Sequence, residues 1–123
     1  MSSAETESEF TEAIALFNQQ EFYACHDTLE ALWMEALEPD RSFYQGILQI
    51  AVACYHLGNQ NWRGAMILLG EGSNKLKGYQ PSYYGIDITD FLTQSLDLLK
   101  QLQESDPELR VNLVTSVPKI SFK

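Results

Sequence analysis

The chain has 123 residues, 45% of them hydrophobic and 20% charged, which excludes collagen-like, low-complexity and wholly disordered readings. That length serves one domain, residues 1–123, able to bury a core without disulfide or metal staples. The net charge is −9, and the first third holds all of it. Residues 1–40 carry ten acids (Glu5, Glu7, Glu9, Glu12, Glu21, Asp27, Glu30, Glu35, Glu38, Asp40) and no Lys or Arg, against eight bases and seven acids in the remainder.

The periodicity predicts five helices. In the first, about residues 5–18, Phe10, Ile14 and Phe17 recur at helical spacing beside Ala13, and either Thr6 with Glu9 or Ser2 with Glu5 offers a capping box. Asn18-Gln19-Gln20 reads as a turn. The second helix starts near Phe22, gathers Phe22, Cys25, Leu29, Leu32, Trp33 and Ala36 on one face, and stops near Leu37 before Pro39-Asp40. The third, about 42–57, is apolar around most of its circumference and so central, with Gly58-Asn59 as a left-handed stop. The fourth carries Trp62, Ala65, Met66, Leu69 and Leu76 and ends before Gly78. Residues 78–85 form a loop rich in turn residues and aromatics, in which Tyr79, Tyr83 and Tyr84 either pack on the bundle or line the mouth of a pocket. The fifth helix carries Phe91, Leu92, Leu98, Leu99 and Leu102, with Asp87 or Thr89 as its cap. The tail, 106–123, is expected to lie extended, with Val114, Val117 and Ile120 as anchors. No strand pairs convincingly with another, so the fold class is all-α.

An internal repeat at an offset of 40 aligns Phe17-Asn-Gln-Gln-Glu-Phe22 with Leu57-Gly-Asn-Gln-Asn-Trp62, Ala24-Cys25 with Gly64-Ala65, and Leu29 with Leu69. Each copy is a helix, a tight turn and a helix, the logic of a tetratricopeptide hairpin. The expected architecture is a five-helix bundle of two such hairpins, a closing helix and an extended tail.

Polar residues interrupt the apolar pattern at a few places. At about 100° per residue, His26 falls inside the buried face of the second helix, and Glu30, one turn on, sits at its edge within hydrogen-bonding reach. Gln45, Gln49 and His56 form one stripe on the third helix. Either that stripe is the helix's only wet face, or it meets His26 and Glu30 in a pocket. The second case predicts that His26, Glu30 and His56 converge between antiparallel helices 2 and 3. Two histidines and a carboxylate can ligate a metal, and a carboxylate-oriented His can act as a general base. His-x-x-x-Glu matches no zinc motif, however, and a structural hydrogen-bond network accounts for the same residues. No cofactor is expected; a divalent metal, if present, would fall to His26, Glu30 and His56. Cys25 and Cys54 occupy apolar helical positions, read as inert core thiols, and make no disulfide framework. Trp33 and Trp62 read as core.

From about Phe17 to Phe91 the chain resembles the family called domain of unknown function 309 (DUF309). The likeness rests on Phe17-Asn18 with Phe22, His26-x-x-Leu29-Glu30-x-x-Trp33, and Gln45-Gly46-x-x-Gln49-x-Ala51-x-Ala53-x-Tyr55-His56. Gly58-Asn59, Gly64-Ala65, Leu68-Leu69 and Gly85-Ile86-Asp87 continue it. Members carry Ala-His-Glu where this chain has Cys25-His26-Asp27, and a Gly near Gln20. The resemblance implies a compact all-α cytosolic protein and groups His26, Glu30, Trp33, Gln45, Gln49 and His56 as one motif set; it supplies no reaction.

Two functions remain open from the sequence. One is a non-catalytic helical module that binds a partner protein through a groove or its acidic face. The other is a small ligand-binding or metal-dependent hydrolase-like protein built on the His, Glu and Gln set, so enzymatic activity is left undecided. An acidic field repels phosphate backbones and argues against nucleic acid. It serves either as a solvated face or as a docking face for a basic partner. No apolar run approaches the roughly 20 residues of a membrane span, no signal peptide is visible, and the expected location is cytoplasmic.

Overall fold

The structure is a computed structural model and describes residues 3–123. Five α-helices follow in chain order: α1 (Ser3–Asn18), α2 (Phe22–Glu35), α3 (Asp40–Gly58), α4 (Trp62–Leu76) and α5 (Ile88–Glu104). Each packs on the next, as short connections between helices require. The fold is the all-α bundle expected from periodicity. No helix among the described residues is long and apolar enough to cross a membrane.

The helix ends show where local chemistry overrides pattern. Since α1 is already helical at Ser3, Thr6 lies past the first residues and does not cap; Ser2 lies outside the described residues. α2 ends at Glu35, two residues before the predicted stop, and α3 starts at Asp40 instead of Ser42. There Glu38 accepts from the Ser42 amide at 2.7 Å and from the Ser42 hydroxyl, which satisfies an otherwise orphaned first-turn donor and holds the Glu38 carboxyl below its usual range. Asn61 caps α4 by accepting from the Gly64 amide, and Asp87 caps α5 by accepting from that of Asp90.

The left-handed stop of α3 is Gln60 (φ 59°), not Gly58-Asn59, and Gln20 (φ 64°) plays the same part after α1. In both turns the left-handed residue bonds back three residues, Gln20 N–H to Phe17 O and Gln60 N–H to Leu57 O. The next residue bonds back five, Glu21 N–H to Leu16 O and Asn61 N–H to His56 O. This double bond pattern is the Schellman stop. The offset of 40 seen in the sequence is therefore also an offset between two identical hydrogen-bonded turns.

The core runs through all five helices. Phe17 stands edge-on to Phe22 and to Phe91 at 5.2 and 5.4 Å, joining α1, α2 and α5. Gly46 and Gly72 let α3 and α4 approach closely: a Cβ on Gly72 would sit 2.7 Å from the Gly46 carbonyl oxygen.

The connection from α4 to α5 is more regular than predicted. A 3₁₀ turn (Lys77–Tyr79) leads into a two-stranded antiparallel hairpin, β1 (Ser82–Tyr83) and β2 (Ile86–Asp87), turned at Tyr84-Gly85. A second 3₁₀ turn (Pro107–Leu113) follows α5, and the remaining tail runs extended across the bundle. Of the predicted anchors Ile120 is buried, while Val114 and Val117 are half-buried. Asn18 clamps Ile120 with two side-chain bonds of 2.8 Å, and Gln94 clamps Lys119 likewise. Beyond them Phe122 bridges to Ile86, so the tail adds a third edge to the hairpin.

Candidate functional site

The motif set singled out by sequence is distributed over two helix faces. On α2, His26 is half-buried and bracketed by carboxylates. Its Nδ1 lies 3.3 Å from Asp27 Oδ1, and its Nε2 lies 3.1 Å from Glu30 Oε2. The i,i+4 pairing of His26 with Glu30 is thus formed, and Asp27 fills the second ring nitrogen. Tyr23 lies tilted beside His26 at 5.8 Å and beside Tyr55 of α3 at 5.6 Å.

The polar stripe of α3 goes elsewhere. Gln49 Nε2 donates to Glu71 Oε2 of α4 at 3.2 Å. The His56 ring packs where α4 begins, with Nδ1 3.4 Å from Asn61 Nδ2 and Cδ2 3.0 Å from where a Gly64 Cβ would stand. Gln45 is half-buried on the same stripe. The expected meeting of Gln49 and His56 with His26 and Glu30 is replaced by contacts with α4. The physical cause is the glycine pair: Gly46 and Gly72 draw α4 onto the flank of α3 that carries the stripe. Among the described residues no three His, Cys, Asp or Glu side chains are grouped to hold a metal ion, so His26, Glu30 and His56 are not assembled as a ligand set. Trp33 is half-buried, with the Arg41 guanidinium 4.6 Å above its ring and an indole N–H that finds no partner among the described residues.

The chemistry the sequence did not single out gathers around Asp40, the first residue of α3. Tyr83 Oη donates to Asp40 Oδ1 at 2.6 Å and Tyr84 Oη to Asp40 Oδ2 at 2.5 Å. Tyr79 Oη donates to the Pro39 carbonyl at 2.6 Å. Phe43 anchors the cluster beneath, 4.7 Å from Tyr83 and 5.3 Å from Tyr79. Tyr79 and Tyr83 therefore pack on the bundle while Tyr84 lines a cavity: the two alternatives for these tyrosines are divided among them. Burial pushes the Tyr83 phenol up to about 12, with the Asp40 hydrogen bond and charge adding. The Asp40 hydrogen bond raises Tyr84 further, and burial first, then Asp40, raises Tyr44. All three phenols stay protonated at neutral pH, and Tyr83 and Tyr84 act as donors to Asp40.

Tyr84 and Gly85 have φ of 48° and 75°, the all-positive pattern of a type I′ hairpin turn. Asn or Gly adopts that first position easily, whereas a bulky aromatic seldom does. The Tyr84–Asp40 bond compensates the strain and aims the ring.

The cavity so formed has a volume of about 680 Å³ and is lined by Thr6, Glu7, Phe10 and Thr11 of α1, Asp40 and Tyr44 of α3, Tyr84 of the hairpin and Phe122 of the tail. A smaller hollow of about 240 Å³ shares Thr6, Asp40 and Tyr44 and reaches Glu35 at the end of α2. The larger one falls within the roughly 300–1,000 Å³ of ligand pockets. Four of its eight lining residues are aromatic, two are threonines, and its charged groups are the carboxylates of Glu7 and Asp40. The only advance signal was three tyrosines in an eight-residue loop; Asp40 read as a turn residue.

Residues 10–68 match the family model of the domain of unknown function DUF309. This segment, a little under half of the chain, is similar to the DUF309 family. The match spans α1 from Phe10 through the first half of α4, so it contains His26, Glu30, Trp33, Gln45, Gln49 and His56, and also Asp40 and Tyr44 of the cavity. The hairpin tyrosines and Phe122 lie beyond the DUF309 match, and the family's description assigns no activity to any of them. No curated protein and no solved structure matches the chain.

Proposed function

We propose that this protein is a non-catalytic interaction module that takes a basic segment of a partner protein into the cavity between α1, α3 and the β1–β2 hairpin. The observation that supports it is the coincidence of a cavity lined by four aromatic rings and two carboxylates with the acidic third of the chain. Glu7 and Asp40 line the cavity, Glu35 lines the adjoining hollow, and Glu12 of α1, Glu30 of α2, and Glu21 and Glu38 in the connections after α1 and α2 are exposed. A field of one sign focused on a concave surface steers an oppositely charged partner.

The alternative, hydrolase-like chemistry at His26 and Glu30, has less support. The pair is oriented as a general base would be, but neither residue lines either cavity described above.

The test is a titration of the full chain with a lysine- and arginine-rich peptide at several ionic strengths. The expected association rate falls steeply with salt, and Glu7→Lys lowers it further, with perturbed amide resonances clustered on α1, the start of α3 and the hairpin. Binding indifferent to salt, or resonances perturbed only around His26, would overturn the proposal.

A further inference from the structure

One wall of the cavity is main chain with unused hydrogen-bonding capacity. In the tail the backbone bonds alternate from residue to residue. Ser121 O accepts from Asp87 N–H at 2.9 Å, and Lys123 N–H donates to Gly85 O at 2.7 Å, the two bonds that make the Ile86–Phe122 bridge. Lys119 bonds through both its N–H and its C=O to the Gln94 side chain of α5. Ile120 bonds instead to α1, its N–H donating to Asn18 Oδ1 and its C=O accepting from Asn18 Nδ2, both at 2.8 Å. Residues 119, 121 and 123 therefore bond toward α5 and β2, and residue 120 toward α1. In an extended chain each residue directs its N–H and C=O to one side and the next residue directs them to the other. Phe122 therefore faces the α1 side, as Ile120 does.

At Phe122 that side holds the cavity. Phe122 lines it together with Thr6, Glu7, Phe10 and Thr11 of α1 and is 59% exposed. Its own N–H and C=O have no hydrogen-bond partner among the described residues. Asn18 shows what fits such a position: one donor and one acceptor held side by side. The main chain of an extended residue offers the same pair. An unpaired edge of this kind is a template for another chain, and strand addition is a general mode of peptide recognition.

We propose that the basic segment enters extended and pairs its main chain with Phe122 as an antiparallel strand. One residue of the segment donates its N–H to Phe122 O and accepts from Phe122 N–H. The inference rests on the basic-segment reading above, and adds the conformation and register of what enters. Side chains directly opposite each other in such a pair share a face, so the paired residue projects the way the Phe122 ring does, toward the cavity that Glu7 and Asp40 also line. A Lys or Arg belongs at that position. Its two neighbours project to the other face, the face of Lys123, where a further positive charge gains nothing. A second copy of this chain, with a net charge of −9, would bring like charge to Glu7 and Asp40.

The experiment titrates the full chain, followed by NMR, with an end-capped peptide that has one central lysine flanked by neutral residues. Versions N-methylated at a single backbone amide keep the charge and remove one donor. A norleucine version keeps the donors and removes the charge. Methylation at the central lysine is expected to weaken binding about two- to tenfold, the scale of one net hydrogen bond. Methylation at either neighbour, whose N–H points away from Phe122, should leave binding unchanged. The lysine peptide should slow hydrogen exchange of the Phe122 amide. Salt-dependent binding retained by every methylated version, with Phe122 exchange unchanged, would overturn the strand pairing and leave the basic-segment reading standing. Norleucine binding as tight as lysine binding would overturn the basic-segment reading and the register with it. Phe122 exchange slowed by raising the protein concentration alone would place a second copy on the edge and overturn the proposal.

Discussion

Replacing Asp40 by Asn tests whether one carboxylate organises the cavity. The native carboxylate accepts two phenols, at 2.6 and 2.5 Å, and hydrogen bonds to charged groups contribute about 1.5–3 kcal/mol each. Asn keeps one carbonyl oxygen, so one phenol retains an acceptor of lower strength. The other meets an amide donor and turns away; Tyr84, 52% exposed, can turn to water, which limits the loss. The negative charge in the first turn of α3 is also lost, a further ~0.3–1 kcal/mol. The expected destabilisation is about 1–3 kcal/mol, or about 4–12 °C in Tm for a chain of this length. Urea unfolding of wild type, Asp40→Asn, Tyr84→Phe and the double variant gives the coupling free of either substitution's own effect. A coupling near 1 kcal/mol is expected. Additive effects, with the phenolate absorbance titrating unchanged in Asp40→Asn, would show that Asp40 and Tyr84 are neighbours without being partners.

The same phenols make stability fall at alkaline pH. Tyr83 is raised from the ordinary value of about 10 to about 12 in the folded chain, with Tyr84 raised too, so their contribution is complete below about pH 10 and is lost as pH rises through 12; a urea midpoint flat across that window would refute it. Burial pushes the Cys25 thiol up to about 12 and raises Cys54 as well, so a thiol reagent at neutral pH should label both only on unfolding, and rapid native labelling of both would contradict the structure. Gly72→Ala places a Cβ 2.7 Å from a backbone carbonyl that cannot move aside, for an expected loss of about 1–3 kcal/mol in denaturant unfolding; a variant as stable as wild type would show that α3 and α4 part easily.

Much of the helical architecture was legible because one periodicity recurs five times and each apolar face needs a neighbour. What escaped depended on residues far apart in the chain. The pairing of His26 with Glu30 is a property of one helix and could be read from spacing. Which helix covers Gln49 and His56 depends on Gly46 and Gly72, small residues on different helices that act only together. The Asp40 cluster joins residues 43 and 44 positions apart, and nothing local in Pro39-Asp40 distinguishes a carboxylate that will hold two phenols from one that merely starts a helix. The misplaced stop of α3 has a different origin. Glycine is the usual left-handed residue at a helix end, so Gly58 attracted the assignment, but the hydrogen bonds place the turn two residues later and Gln60 accepts the conformation.

The two hairpins show how one backbone plan came to carry an asymmetric surface. Their turns share the same left-handed Gln and the same bonds back along the helix, so the chain paths into α2 and α4 agree. The outward positions diverge. Asp27 and Glu30 of α2 correspond, forty residues on, to Ile67 and Gly70 of α4, and Tyr23 corresponds to Arg63. Local geometry leaves these positions free to vary, since exposed helical side chains away from caps and packing alter stability little. The acidic field is therefore a property of the first hairpin's side chains and not of the repeated fold. The cavity forms where that hairpin meets the first turn of α3, the β1–β2 hairpin and the tail. Its charge comes from the repeat unit, and two of its four rings, Tyr84 and Phe122, come from segments outside it. The matched family segment alone supplies Phe10, Asp40 and Tyr44 but not the phenols that occupy Asp40. In a chain that shares the helices and lacks Tyr83 and Tyr84, the same carboxylate would lose both of its phenol donors.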